Sequence, residues 1–203
     1  MKSFRPRGQQ ARDSNGWSDF RGQQRGNETH ASTTAPEARL ARKGSGQEAK
    51  LCFSGHAMME NRNGLLVDLR ILEANGRAER EAALLMLADT SKGPLPETLG
   101  ADKGYDTRDF VAACRQQGIT PHVTKNEHAR RRSAIDGRTT RHRGYAISQI
   151  LRRRVEQIFG WMKTVGGLRR SRWRGAARTQ HAAYLVGTAY NLLRVARLAA
   201  RPT

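Results

Sequence analysis

The sequence predicts an α/β fold, and three patterns carry that expectation. Two apolar runs, Leu51-Cys52-Phe53 with Ala57-Met58-Met59 and Leu65-Leu66-Val67 with Leu69, Ile71 and Leu72, flank Asn61-Arg62-Asn63-Gly64. Apolar runs around an Asn-Gly turn read as a β-hairpin. A short strand to Ala101, a helix over about 107–117 and a strand over 119–123 make a βαβ unit, whose parallel strands need both faces covered. Two helices, about 147–165 and 178–198, follow. A chain of 203 residues is long enough for one domain with its own core.

Residues 1–47 are rich in Gly, Gln, Arg, Ser and Thr with little apolar periodicity, so the expectation there is a flexible basic segment. The folded part is expected over 48–203. After the hairpin, Ala82, Leu85 and Met86 recur at helical spacing among charged residues, predicting an amphipathic helix that ends before Gly93-Pro94. Gly118 suits the C-cap of the helix inside the βαβ unit. Residues 127–146 hold many arginines and almost no apolar side chains, which predicts an exposed basic loop. On the helix expected over 147–165, Leu151, Val155, Ile158 and Met162 form one apolar face. At about 100° per residue Arg152, Glu156 and Lys163 fall within about 40° of each other along its edge.

Charge narrows the partner. Lys plus Arg total 37 against 18 Asp plus Glu, a net charge of +19, so a polyanion is the expected partner and nucleic acid leads over an acidic membrane surface. At 6% aromatic residues the chain has too few rings for a single-strand stacking platform, and contact with a duplex backbone fits better. Arg130, Arg131, Arg132, Arg141, Arg153, Arg154, Arg169, Arg170, Arg172 and Arg174, with Trp173 interleaved, are the candidate contacts. The only cysteines, Cys52 and Cys114, have no zinc-type spacing, and a reduced cytosol is the default compartment. No signal peptide is visible, and the longest apolar stretch, 182–193, falls short of the about 20 residues that span a bilayer.

Two carboxylates stand apart from the rest. Asp102 in Leu99-Gly100-Ala101-Asp102-Lys103-Gly104-Tyr105-Asp106 follows a strand pattern, and Glu156 in Arg152-Arg153-Arg154-Val155-Glu156-Gln157-Ile158-Phe159-Gly160-Trp161-Met162-Lys163 lies in a helical one. Such a pair can hold magnesium against a phosphate. An ordinary reading exists for each: a cap or turn residue after a strand, and a surface Arg–Glu pair at i, i+4.

These segments, together with Ala189-Tyr190-Asn191-Leu192, Gly26-Asn27-Glu28-Thr29-His30 and Arg138-Thr139-Thr140-Arg141-His142, resemble the second half of a bacterial insertion-sequence transposase of the DDE class. The resemblance implies an RNase H-like mixed sheet flanked by helices, and DNA cleavage and strand transfer with an Asp, Asp, Glu triad. It implies magnesium or manganese held by Asp102 and Glu156, with Arg152 and Lys163 as accessory residues. Duplex DNA (insertion-sequence ends and target) is the implied partner, with a homodimer or a larger assembly as the acting form, a nucleoid-associated cytoplasmic location, and no membrane or small-molecule cofactor. In the family's Tyr, Arg, Glu, Lys signature this chain has Gln149 where Tyr would stand, with Tyr145 out of register. The family's first Asp lies on a strand upstream of a segment resembling Met1-Lys2-Ser3-Phe4-Arg5-Pro6, so the expectation is a C-terminal portion lacking that acid and its central strand, inactive alone. Asp13, Asp19 and Asp68 are not convincing substitutes. A two-metal site needs Asp102 and Glu156 to converge, their carboxyl carbons within about 8 Å. The competing expectation is a non-catalytic basic DNA-binding protein.

Overall fold

A computed structural model describes residues 3–7, 26–42, 44–75, 78–90, 96–127 and 132–200. The hairpin forms as its pattern predicts: β4 (Lys50–Met59) runs antiparallel to β5 (Leu66–Glu73), with Ala57 opposite Leu69 and Met58 opposite Asp68. Gly64 takes φ +72 in the turn, a conformation in which a Cβ would be strained. The pairing slips between Met58 and Met59, leaving Val67 as the extra residue of a bulge. The βαβ unit also forms: β6 (Thr98–Ala101) lies parallel to β7 (Thr120–Val123), with α2 (Arg108–Gln116) between them in sequence. Thr107 caps α2 by accepting the Phe110 N–H, and Gly118 at φ +74 turns the chain into β7.

Because successive strand residues point to opposite faces, β4 builds two cores at once. Met58 borders the cluster of Leu87 from α1 (Ala78–Thr90), Phe110 and Cys114 from α2, and Val123 from β7. Ala57 and Met59 border the other, built from Leu69, Ile158 and Met162 of α5 (Val155–Thr164), and Ala183 and Tyr190 of α6 (Ala176–Ala199). The hairpin is therefore sandwiched between α1 and the two C-terminal helices. A Cβ on Gly187 would meet Leu66 Cδ2 at 2.6 Å, so α6 lies close on β5 and a larger residue there would push the Leu66 side chain aside.

The outer edge of β5 is closed by side chains of α6. Ile71 N–H donates to Gln180 Oε1 (2.6 Å) and Gln180 Nε2 donates to Leu69 O (2.8 Å). Eleven residues on, Leu66 N–H donates to Asn191 Oδ1 (2.8 Å) and Asn191 Nδ2 returns a bond to Leu66 O (2.8 Å). Two amides spaced by three helical turns replace the missing neighbour strand.

Several expectations need correction. The sheet is not one mixed sheet: the described strands form three separate pieces, β1–β2, β3–β4–β5 and β6–β7. β1 (Phe4–Pro6), β2 (His30–Ser32) and β3 (Arg39–Ala41) fall within residues 1–47, where composition predicts no element. Backbone pairing holds them, β1 with β2 and β3 with β4, and Phe4 stacks on His30, so the polar composition concealed them. The basic loop over 127–146 contains α3 (Gly137–Thr140) and the start of α4 (Arg143–Leu151). Ile135 and Thr139 are its buried anchors, each 2% exposed, and Asp136 caps α3 through the Arg138 N–H. The single helix over 147–165 is α4, a 3₁₀ turn over Arg152–Arg154, and α5 in succession.

Candidate active site

Asp102 directly follows β6. Its backbone is extended, and Oδ1 accepts the Gly104 N–H at 2.7 Å, capping a 3₁₀ turn over Lys103–Tyr105. The carboxylate is exposed to solvent. Asp106 is engaged elsewhere, accepting the N–H groups of Asn126 (2.7 Å) and Ala134 (2.8 Å), so it fastens both ends of the segment after β7. Asp68 is likewise occupied, by Leu69 N–H and the Arg70 guanidinium. Asp13 and Asp19 lie outside the described residues. Burial, with Glu79 and Asp102 nearby, raises the Tyr105 hydroxyl well above the usual tyrosine range.

The helix that leads to Glu156 touches the strand that leads to Asp102. A Cβ on Gly100 would stand 3.4 Å from Arg152 Cβ and 3.7 Å from Ser148 O, so the end of α4 lies against β6 two residues before Asp102. Two side chains of α4 hold it there. Tyr145 OH donates to Val123 O (3.0 Å) and accepts the Lys125 N–H (3.3 Å). Gln149 Nε2 donates to His122 O (2.7 Å), while its Oε1 accepts from Thr124 Oγ1 (2.6 Å) and Arg152 Nε (3.2 Å). Gln149 therefore orients Arg152 from the position where the signature would have tyrosine, a role that only the tertiary contact with β7 reveals.

The 3₁₀ turn alters the expected stripe. Three residues at about 120° each rather than 100° rotate Glu156 by roughly 60° relative to Arg152. Arg152 accordingly turns to Gln149, and no Arg152–Glu156 ion pair forms. Glu156 and Lys163 both lie within α5, on the exposed side opposite Ile158 and Met162. Among the described residues the Glu156 carboxylate has no hydrogen-bond or ion-pair partner.

Arg154, grouped with the DNA contacts by sequence, is directed inward: its Nη1 donates to the Asn61 and Arg62 carbonyls of the hairpin turn. Arg194 Nε (2.7 Å to Asn63 O) and Tyr190 OH (3.3 Å to Gly64 O) hold the same turn. Glu60 accepts its amides at Arg62, Asn63 and Leu65; burial opposes ionisation, but these backbone bonds outweigh it and lower the Glu60 pKa. Arg132, Arg141, Arg153, Arg169, Arg170, Arg172 and Arg174 are exposed, as is Trp173. Arg130 and Arg131 lie outside the described residues. An open cleft of about 310 Å³ lies beside the Asp106 anchor, lined also by Thr107, Arg108, Asn126 and Arg132.

The donors free at Asp102 and Glu156 are carboxylate oxygens, the ligand type that suits a hard divalent ion such as magnesium, which keeps several of its waters. Among the described residues no three His, Cys, Asp or Glu side chains gather as a metal-holding group. Asp102 thus follows a parallel strand, and Glu156 lies on α5, just beyond the end of α4 that is braced against that strand; both face solvent in a strongly basic α/β chain. The chain belongs to the transposase DDE domain family, whose model matches residues 18–192. Comparison with curated proteins and with solved structures found no match. Among the described residues no helix is long and apolar enough to cross a membrane.

Proposed function

We propose that this chain is a DDE transposase of an insertion sequence, whose activity is DNA cleavage and strand transfer. Asp102 and Glu156 would be two of its three metal ligands, magnesium or manganese the metal, and the arrangement RNase H-like. The observation that supports this reading is the contact of Gly100 with Arg152 inside the family match: the strand that precedes exposed Asp102 meets the 3₁₀ turn that precedes the helix bearing exposed Glu156. When bound, a pair of divalent ions activates the attacking oxygen and stabilises the leaving one on the phosphate. The chain's own residues hold and orient. Asp102 and Glu156 would supply oxygen ligands, Arg152, bonded to Gln149, would stand beside them, and Lys163, on the face of Glu156, would meet a phosphate.

The third carboxylate would enter on a strand between β4 and β6. β4 through Met58 and β6 through Leu99 and Ala101 border one core, yet they share no ladder. A strand there would join the two pieces in the order β5, β4, new strand, β6, β7, and its end would lie beside Asp102. On this reading the chain by itself does not cut DNA. Duplex DNA would bind along the exposed arginines and Trp173, and the acting form would be a homodimer in the bacterial cytoplasm, associated with the nucleoid.

A second reading is a non-catalytic DNA-binding protein, favoured by one observation: Asp102 already serves as the N-cap of a 3₁₀ turn. A nicking assay on supercoiled DNA separates the two. The chain extended by an upstream segment encoding a strand that ends in Asp should nick with magnesium, and Glu156→Gln or Asp102→Asn should abolish nicking. An extended chain that binds DNA but never nicks it would favour the second reading. Cleavage by the 203-residue chain itself would show that another residue completes the site.

A further inference from the structure

The segment between α5 and α6 exposes one large ring among positive charges. Arg169-Arg170-Ser171-Arg172-Trp173-Arg174 holds four arginines and a tryptophan in six residues, and no acidic residue follows Glu156 in the sequence. All four arginines are exposed, and among the described residues none of them forms an ion pair. Trp173 is 53% exposed, and among the described residues no other ring packs on it, whereas Trp161 meets Tyr190 edge to face. Tryptophan is highly buried on average, so an open one in a wholly basic segment needs a reason. The ring is also held in place. Ser171 Oγ accepts the Trp173 N–H (3.2 Å), donates to Trp173 O (3.0 Å) and lies 3.1 Å from Thr179 Oγ1. Thr179 is buried in the first turn of α6 and donates to Gly175 O (2.8 Å). At the other end, Leu168 N–H donates to Met162 O (2.9 Å), and Leu168 packs against the cluster of Ile158 and Met162. Both ends of the segment are thus tied to the core, and a ring ordered in advance loses less freedom on binding.

We infer that Trp173 is a stacking site for an unpaired DNA base, with the flanking arginines on the phosphates either side of it. Arginines neutralise phosphates without regard to sequence, and an aromatic ring accepts the face of any base. One ring holds one base, so the segment is not a platform for a long single strand. Inside an intact duplex both faces of every base are covered by its neighbours, and reaching one requires unstacking. About half of the Trp173 surface is covered by its own chain, so the residue has one side to give. That suffices to cap an unpaired base. A wedge between two stacked pairs is covered on both sides, which this ring does not offer. The assignment rests on the DNA-binding reading above and deepens it by naming the DNA preferred. Where a strand is opened or broken, a base loses a stacking neighbour, and Trp173 takes that neighbour's place.

Fluorescence anisotropy with the 203-residue chain compares an intact duplex with the same duplex carrying one bulged adenine at its centre, so that the ends are shared and only the unpaired base differs. The wild-type chain should bind the bulged duplex about tenfold more tightly, a factor within the range that stacking of a base on an aromatic ring supplies. Trp173→Ala should lose that preference while keeping the affinity for the intact duplex and its salt dependence, and Trp173→Tyr should retain most of it. With 2-aminopurine as the bulged base, the wild-type chain should quench its emission on binding and Trp173→Ala should not. Equal affinity of the wild-type chain for the two duplexes overturns the stacking role and leaves the DNA-binding reading in place. So does a preference that Trp173→Ala leaves intact, which puts the base elsewhere. Binding to neither duplex overturns both the stacking role and the reading on which it rests. The exposure of the ring predicts an unchanged Tm for Trp173→Ala; a Tm that falls would show that the ring packs for its own chain, which also overturns the assignment.

Discussion

Single side chains on this fold divide into those held by their surroundings and those left open, and the division sets how the molecule responds to pH. His56 is 6% exposed on β4, opposite Arg70, and its Nε2 has no partner among the described residues. Burial lowers its pKa below the ordinary histidine value. His122, which shares a 2.7 Å hydrogen bond with Ser148, is lowered by burial and then by His142. For a histidine depressed in the folded state, the unfolded chain binds the extra proton first as pH falls. Stability from these two is thus fully present above the unfolded value of about 6.5 and is lost as pH drops below it. The Tm should fall between pH 7.5 and 5.5, a window above ordinary carboxylate titration, and His56→Leu should flatten part of that fall. A Tm constant across the window in the wild-type chain would refute this account.

At the level of elements, what sequence made legible was what local chemistry determines. The Asn63-Gly64 turn, the Thr107 and Gly118 boundaries of α2, and the apolar face with Ile158 and Met162 follow from rules that act within a few residues, and all are present. The parallel pairing of β6 with β7 was legible too, because a strand, helix, strand succession leaves few alternatives. What escaped the sequence depends on distant partners. The strands at Phe4–Pro6 and His30–Ser32 gain their order from each other, and the 3₁₀ turn at Arg152–Arg154 lies where Gln149 and Gly100 engage Arg152. Asp102 and Glu156 were legible as exposed acids at a strand end and on a helix; that Arg154 is tied to the hairpin turn was not. Asn191, noticed only as part of a motif, turns out to close the edge of β5 together with Gln180. Asn191→Leu leaves both the N–H and the C=O of Leu66 without partners. The variant should therefore lose roughly 1 to 3 kcal/mol in urea unfolding, the range for an unsatisfied buried backbone group. An unchanged midpoint would show that water satisfies that edge as well as the amide does.

Across the whole molecule, the excess of positive charge has two destinations. Arg154 and Arg194 donate to carbonyls of the turn after β4 and tie the hairpin to the helices behind it, while Arg169, Arg170, Arg172 and Arg174 project from the segment between α5 and α6. Only the second kind can release counterions from DNA. Each neutralised phosphate contributes roughly 0.9 to the slope of log affinity against log salt. Replacing Arg169, Arg170, Arg172 and Arg174 together by alanine should therefore reduce that slope by about 3 to 4, with little change in unfolding midpoint, because surface substitutions of this kind shift stability by about 0.5 kcal/mol or less. Arg154→Ala should do the reverse, leaving the salt slope as it was and lowering the midpoint, because the turn loses a charged donor to two carbonyls. Fluorescence anisotropy with a random-sequence duplex at several salt concentrations, paired with urea unfolding, reads both quantities on each variant. If the quadruple variant keeps the wild-type slope, these arginines are a solvated face and DNA binds elsewhere. If Arg154→Ala lowers the slope without loss of stability, that guanidinium leaves the turn to reach DNA.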